Sequence, residues 1–162
     1  MAIDTSHSAV QAVERELRSH GIDGEVRWLD DATPTAAAAA EAIGIDVGAI
    51  ANSLVFTLDG EPVLVMTSGG HRVDTGYLGE QLGGTLKRAS AETVREATGQ
   101  VIGGVAPTGH PRPLRTWVDV ALDAYPEVWA AAGHPHTVFP LSYAQLVALT
   151  GGVEIAVERP AR

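Results

Sequence analysis

Apolar residues recur every three or four positions from Ser8 to His20, placing Val10, Val13 and Leu17 on one helical face, and Gly21 supplies a stop. The period then changes. Glu25-Val26-Arg27-Trp28-Leu29 alternates and predicts a strand. Thr33 and Pro34 read as an N-cap and N1 pair that opens an alanine-rich helix from Thr35 to Ile43, ended by Gly44. Its five consecutive alanines, Ala36 to Ala40, suit a helix packed closely on a neighbour.

Two β-rich runs follow, Ser53 to Leu58 and Val63 to Thr67, joined by Asp59-Gly60-Glu61-Pro62. Asp-Gly between apolar runs predicts a hairpin, and the nearly continuous apolar character of both strands puts them in the middle of the fold. Asp74 to Leu82 reads as a short helix before Gly83-Gly84, and Ser90 caps a second from Ala91 to Thr98, closed by Gly99. Gln100-Val101-Ile102 is expected as a strand leading into Gly103-Gly104-Val105-Ala106-Pro107-Thr108-Gly109. Further strands are expected at Leu114 to Val120, Glu127 to Ala132, His136 to Leu141 and Val153 to Glu158. Ser142 and Gln145 form a capping-box pair for a helix from Tyr143 to Leu149. The pattern predicts one mixed α/β domain over residues 1–162 with a mostly antiparallel or mixed sheet.

Composition narrows the function. The chain has 162 residues, 45% of them hydrophobic and 19% charged, which fits a globular domain with its own core. It contains no cysteine, so disulfides, thiolate catalysis and Cys-based zinc sites are excluded. No apolar stretch reaches the ~18 residues of a membrane span, and the first residues show no signal-peptide core. The expected setting is the cytoplasm. The net charge of −9, with Lys87 the only lysine, argues against an extended nucleic-acid surface but leaves room for contact with one nucleic-acid terminus.

Several residues could carry chemistry. The Gly103–Gly109 loop has three glycines and one proline in seven residues, a backbone held in shape rather than left floppy. Pro111 and Pro113 follow it where a phosphate-binding loop would need a helix, which argues against a dinucleotide fingerprint and a P-loop. What remains is a loop whose amides could polarise a carbonyl, or a tight connection with no ligand. His134 and His136 flank Pro135 with no third ligand evident, so no metal site is expected. No Gly-x-Ser-x-Gly elbow marks a serine nucleophile. Asp119 ends an apolar strand and is either a rim residue or a carboxylate aimed into a pocket; Lys87-Arg88 reads as a solvated basic pair.

Taken in order, Ala51-Asn52-Ser53-Leu54-Val55-Phe56, Thr67-Ser68-Gly69, Lys87-Arg88-Ala89-Ser90, Thr98-Gly99, the Gly103–Gly109 loop, the strand ending in Asp119 and the Ala132-Gly133-His134 turn resemble the YbaK / prolyl-tRNA editing domain family of aminoacyl-tRNA deacylases. The resemblance runs from about Thr33 to Val157. It implies a strongly curved, barrel-like sheet surrounded by helices, and hydrolysis in trans of the ester of a mischarged transfer RNA without metal or cofactor. The implied partners are the aminoacylated 3′ end and an aminoacyl-tRNA synthetase, with no membrane. By position, Asn52, Gly103 and Gly104 would be catalytic, and Ser68, Pro107, Asp119 and His134 would contact substrate. Asn52 stands where the family usually has a lysine, so an alternative is a weak or inactive homologue that binds aminoacyl-tRNA or aminoacyl-adenosine. A hydrolase of another small acyl ester is a third reading.

Overall fold

In the computed structural model, which describes residues 7–23, 25–33 and 35–159, the chain forms the mixed α+β fold expected from the pattern, with its strands in two sheets rather than one closed barrel. Helix α1 (Ser8–Ser19) buries Val10, Val13 and Leu17, the three residues on its apolar stripe. Strand β1 is short, Arg27–Trp28. Helix α2 (Ala36–Ile43) is capped by Thr35, whose hydroxyl accepts the Ala38 N–H, and not by Thr33. Thr33 instead ties its N–H and hydroxyl to the Pro135 carbonyl, and Pro34 lies outside the described residues. Ala39 and Ala40 are buried and cluster with Ile50 and Trp129, so the small side chains do permit close packing.

After a 3₁₀ turn at Val47–Ala49 come β2 (Ala51–Leu58) and β3 (Glu61–Ser68), paired antiparallel along all eight positions. Asp59 and Gly60 make the turn with φ of 50° and 87°, the left-handed pair that a two-residue hairpin requires. Helix α3 (Thr75–Leu82) is capped by Asp74. Strand β4 (Leu86–Arg88) was not evident from the pattern: three residues with two charges carry no period, yet they pair antiparallel with Phe56 to Leu58. Helix α4 (Ala91–Thr98) has the expected Ser90 cap.

Gln100 to Ile102 is not a strand but the start of an irregular loop. The remaining elements are β5 (Thr116–Asp119), a 3₁₀ turn at Val120–Ala124, β6 (Val128–Ala130), β7 (Thr137–Leu141), α5 (Tyr143–Thr150) with its Ser142–Gln145 capping box, and β8 (Val153–Ile155). These strands are shorter than the sequence runs that predict them, because only the paired residues count as strand.

The larger sheet has the order β4-β2-β3-β5-β8, antiparallel on the β2 side and parallel from β3 onward. The smaller runs β1-β7-β6, antiparallel throughout. A single parallel bridge between Ile50 and Trp129 joins the two at the start of β2. The main core lies between the sheets and α1, α4 and α5, around Phe139, Leu64, Met66, Leu122 and Leu146. Among the described residues, no helix is long and apolar enough to cross a membrane.

Phe139 is fully buried on β7 at the centre of that core. Phe139→Ala is expected to lower the unfolding free energy by about 3–5 kcal/mol in urea titrations monitored by circular dichroism. Unchanged stability would mean that the core is centred elsewhere.

Candidate active site

A cavity of about 350 Å³ opens where the two sheets meet, bounded by β2, β6, β7 and α2. Asn52 and Gly103 both line it, as do Ser53, Arg88 and Ile102. The Gly-rich loop and the Asn52 strand, over 50 residues apart in the chain, therefore share one cleft. Arg88 arrives because β4 sets it opposite Phe56, so one residue of the basic pair, both of which are exposed as expected, also lines the cavity. No carboxylate lines the cavity among the described residues. None of their His, Asp and Glu side chains forms a group of three that could hold a metal.

The loop is rigid for an identifiable reason. Gln100 is only 2% exposed, and its side chain bonds to main-chain groups of the loop: Oε1 accepts the Ala106 N–H at 2.8 Å and Nε2 donates to the Thr108 carbonyl at 3.2 Å. His110 adds a bond between its Nε2 and the Ala106 carbonyl at 2.9 Å. Gly103 has φ of 89°, which a side-chain-bearing residue adopts only under strain. Gly104 is needed for space: a Cβ there would come within 2.8 Å of the His134 and Pro135 backbone. Pro107 is buried within the loop and does not line the cavity. The signal for Gln100 was present in the sequence as one amide flanked by Gly99 and Val101, but pattern alone read it as strand.

The other predicted residues lie outside the cavity lining. Asp119 is fully buried, neither on a rim nor at the cavity wall. One carboxylate oxygen accepts the Ser68 N–H at 3.0 Å, the Thr67 hydroxyl at 3.3 Å and His71 Nδ1 at 2.8 Å; the other accepts the Ala121 N–H at 3.0 Å. His71 also reaches Glu158, 3.2 Å from its Nε2, so it bridges two carboxylates. Ser68 directs its hydroxyl to the Gly48 carbonyl at 2.8 Å. These bonds fix the corner after β3 against the 3₁₀ turn that feeds β2. His134 sits in an aromatic group with His7, Trp28 and His136, at ring-centroid distances of 5.1 to 5.3 Å, and its Nδ1 accepts the His136 N–H. Burial first, and then the neighbouring His7 and His136, push its pKa below the usual 6.5. Burial does the same to His110, partly offset by its bond to Ala106.

The model of the aminoacyl-tRNA editing domain family matches residues 30–149. A crystal structure described as a candidate trans-editing enzyme for prolyl tRNA synthetase superposes with a TM-score of 0.88 at 39% identity, covering 95% of this chain and 99% of that one. The uncharacterized protein YwhH of Bacillus subtilis (strain 168) is 27% identical over 139 residues, which are 85% of this chain and 88% of that protein. A proline–tRNA ligase of Maridesulfovibrio salexigens is 34% identical over 70 residues; this stretch is 43% of the chain and only 12% of the ligase.

Two outcomes follow from this geometry. Asp119→Ala is expected to cost about 3–5 kcal/mol of stability, because it orphans several buried donors, and Asp119→Asn less; urea unfolding measures both. His110 and His134 resist protonation in the folded chain, while the unfolded chain takes up protons near pH 6.5. Their contribution to stability is therefore complete above pH 6.5 and is lost as pH falls through the folded values. Thermal unfolding at pH 7.5 and pH 5 should show a lower midpoint at the acidic value, with a smaller difference in His110→Gln.

Proposed function

Since the chain belongs to the aminoacyl-tRNA editing domain family, we propose that it hydrolyses, in trans, the ester joining a wrong amino acid to the 3′ end of a transfer RNA. The observation that carries this reading is the convergence of Asn52, Gly103 and Arg88 on one cavity. In the proposed reaction a water oxygen attacks the ester carbonyl carbon, and the bond to the ribose oxygen breaks. That oxygen leaves with a proton as the ribose hydroxyl. Main-chain amides at the cavity wall stabilise the developing oxyanion, where a preorganised donor is worth most. Gly103 serves there because Gln100 ties down the rest of its loop through Ala106 and Thr108.

Arg88, which lines the cavity, is the cation for a terminal phosphate, in a chain that is otherwise strongly acidic. An acidic surface tolerates this substrate if only the terminal nucleotide is held. The walls are built largely from alanine, valine and isoleucine, and no carboxylate is present to pair with a basic side chain. The amino acid removed is accordingly small and uncharged. The synthetase whose errors it clears is prolyl-tRNA synthetase, a reading supported by the trans-editing neighbour and the ligase relative.

Asn52 supports a second reading, a homologue that binds the same end and hydrolyses it weakly. An amide donates only neutral hydrogen bonds, roughly half as strong as those of an ammonium. A deacylation panel with transfer RNAs charged with each small neutral amino acid separates the two. Release above the uncatalysed rate for at least one charge is expected, with a further gain of about tenfold in kcat for Asn52→Lys. A silent parent that binds the charged end and becomes active as Asn52→Lys would establish the second reading. Arg88→Ala should raise KM about tenfold and flatten its dependence on salt.

A further inference from the structure

Strand β2 is paired unequally along its two edges, and the difference falls at the cavity. In an antiparallel ladder, residues alternate between exchanging bonds with the partner and turning their N–H and C=O away from it. The Gly69 N–H donates to the Ile50 carbonyl at 2.8 Å, which sets Ile50, and by alternation Asn52, Leu54 and Phe56, toward β3. Ala51, Ser53, Val55 and Thr57 then turn their main-chain groups to the other edge. Independent bonds agree with this phase: Ala89 N–H donates to the Val55 carbonyl at 3.3 Å, and Asp59 N–H donates to the Thr85 carbonyl at 3.0 Å. The β4 side thus covers the edge from Val55 onward, and β6 reaches it at the bridge from Ile50 to Trp129. Between these two covers, Ser53 has no strand paired opposite it on this edge among the described residues, and it lines the cavity.

We propose that the N–H and C=O of Ser53 bind the aminoacyl group as though it were one residue of an added antiparallel strand. This rests on the reading of the ligand as an aminoacyl ester. Such an ester carries an ammonium and a carbonyl on either side of one α-carbon, the same arrangement as the N–H and C=O of a residue facing Ser53 across a hydrogen-bonded pair. The Ser53 carbonyl accepts from the ammonium, which has no carboxylate to meet in this cavity. The Ser53 N–H donates to the ester carbonyl. When water adds to the carbonyl carbon, that oxygen takes up the negative charge and the same N–H holds it until the ribose oxygen leaves with its proton. The Ser53 hydroxyl takes no part, since it donates to Met66 Sδ at 3.2 Å inside the fold. Recognition through the main chain reads what all amino acids share and leaves their discrimination to the cavity walls.

Proline is the informative substitution, because it removes the N–H at a point where β3 does not need it, and strand edges tolerate proline there. The probe is a non-hydrolysable 3′-aminoacylamino-3′-deoxyadenosine, taken as the tightest binder among the small neutral amino acids and titrated by calorimetry. Ser53→Pro should bind it about tenfold more weakly than Ser53→Ala, with circular dichroism showing both folded. The wild-type protein should bind the matched compound lacking the α-amino group about tenfold more weakly than the complete one. Equal affinity of the two compounds overturns the proposal while leaving the cavity as an aminoacyl site. Equal binding by folded Ser53→Pro and Ser53→Ala does so as well. If Ser53→Pro does not fold, the pair of compounds on the wild-type protein decides. If no probe binds the wild-type protein, the reading of the cavity falls and the proposal with it.

Discussion

Main-chain pairing of β2 is the constraint on which the rest of the site depends. One edge of the strand is paired with β3 over eight residues, which fixes its register. The other edge is covered only at its ends, by β4 and by the bridge to β6. The cavity is the uncovered interval. A longer β4 or a closer β6 would fill the cleft and complete the ladder, so binding capacity here follows from a sheet left unfinished at one place.

The Gly103–Gly109 loop, two of whose residues line the same cavity, is fixed as well. Its conformation is imposed from beneath by the buried Gln100 amide, from beside by His110, and behind by the close approach of Gly104 to the His134–Pro135 backbone. The corner after β3 is held by Asp119 in the same manner, through bonds to Ser68, Thr67 and His71. Neither Gln100 nor Asp119 lines the cavity. Each positions main chain that does, or that leads into it, which is how a rigid scaffold keeps donors oriented before a ligand arrives.

Charge is distributed with the same economy. The protein is strongly acidic, yet among the described residues an arginine and no carboxylate line the cavity. The neutral Asn52 lies on the strand that Arg88 faces across the β2–β4 pairing. The neutral Asn52 therefore does not leave the cleft without a cationic residue, since Arg88 on the neighbouring strand also lines it.

Helices and turns were legible in the sequence because their causes are local. Caps at Ser90 and Ser142, glycine stops, and the Asp59-Gly60 turn each act within a few residues, and each occurs as expected. The mixed fold class and the family resemblance followed from the order of such signals. Strand β4 and the Gln100 clamp were not legible, since three unpatterned residues become a strand only when an edge is present to receive them, and a lone amide becomes a clamp only when a loop folds over it. For the same reason the sequence could nominate Asn52, Gly103, Asp119 and His134 together but could not separate those at the cavity wall from those that support it. Local chemistry fixed the elements; which main-chain groups of β2 remained unpaired was decided by the packing of two sheets, because hydrogen bonding between strands depends on partners distant in the chain.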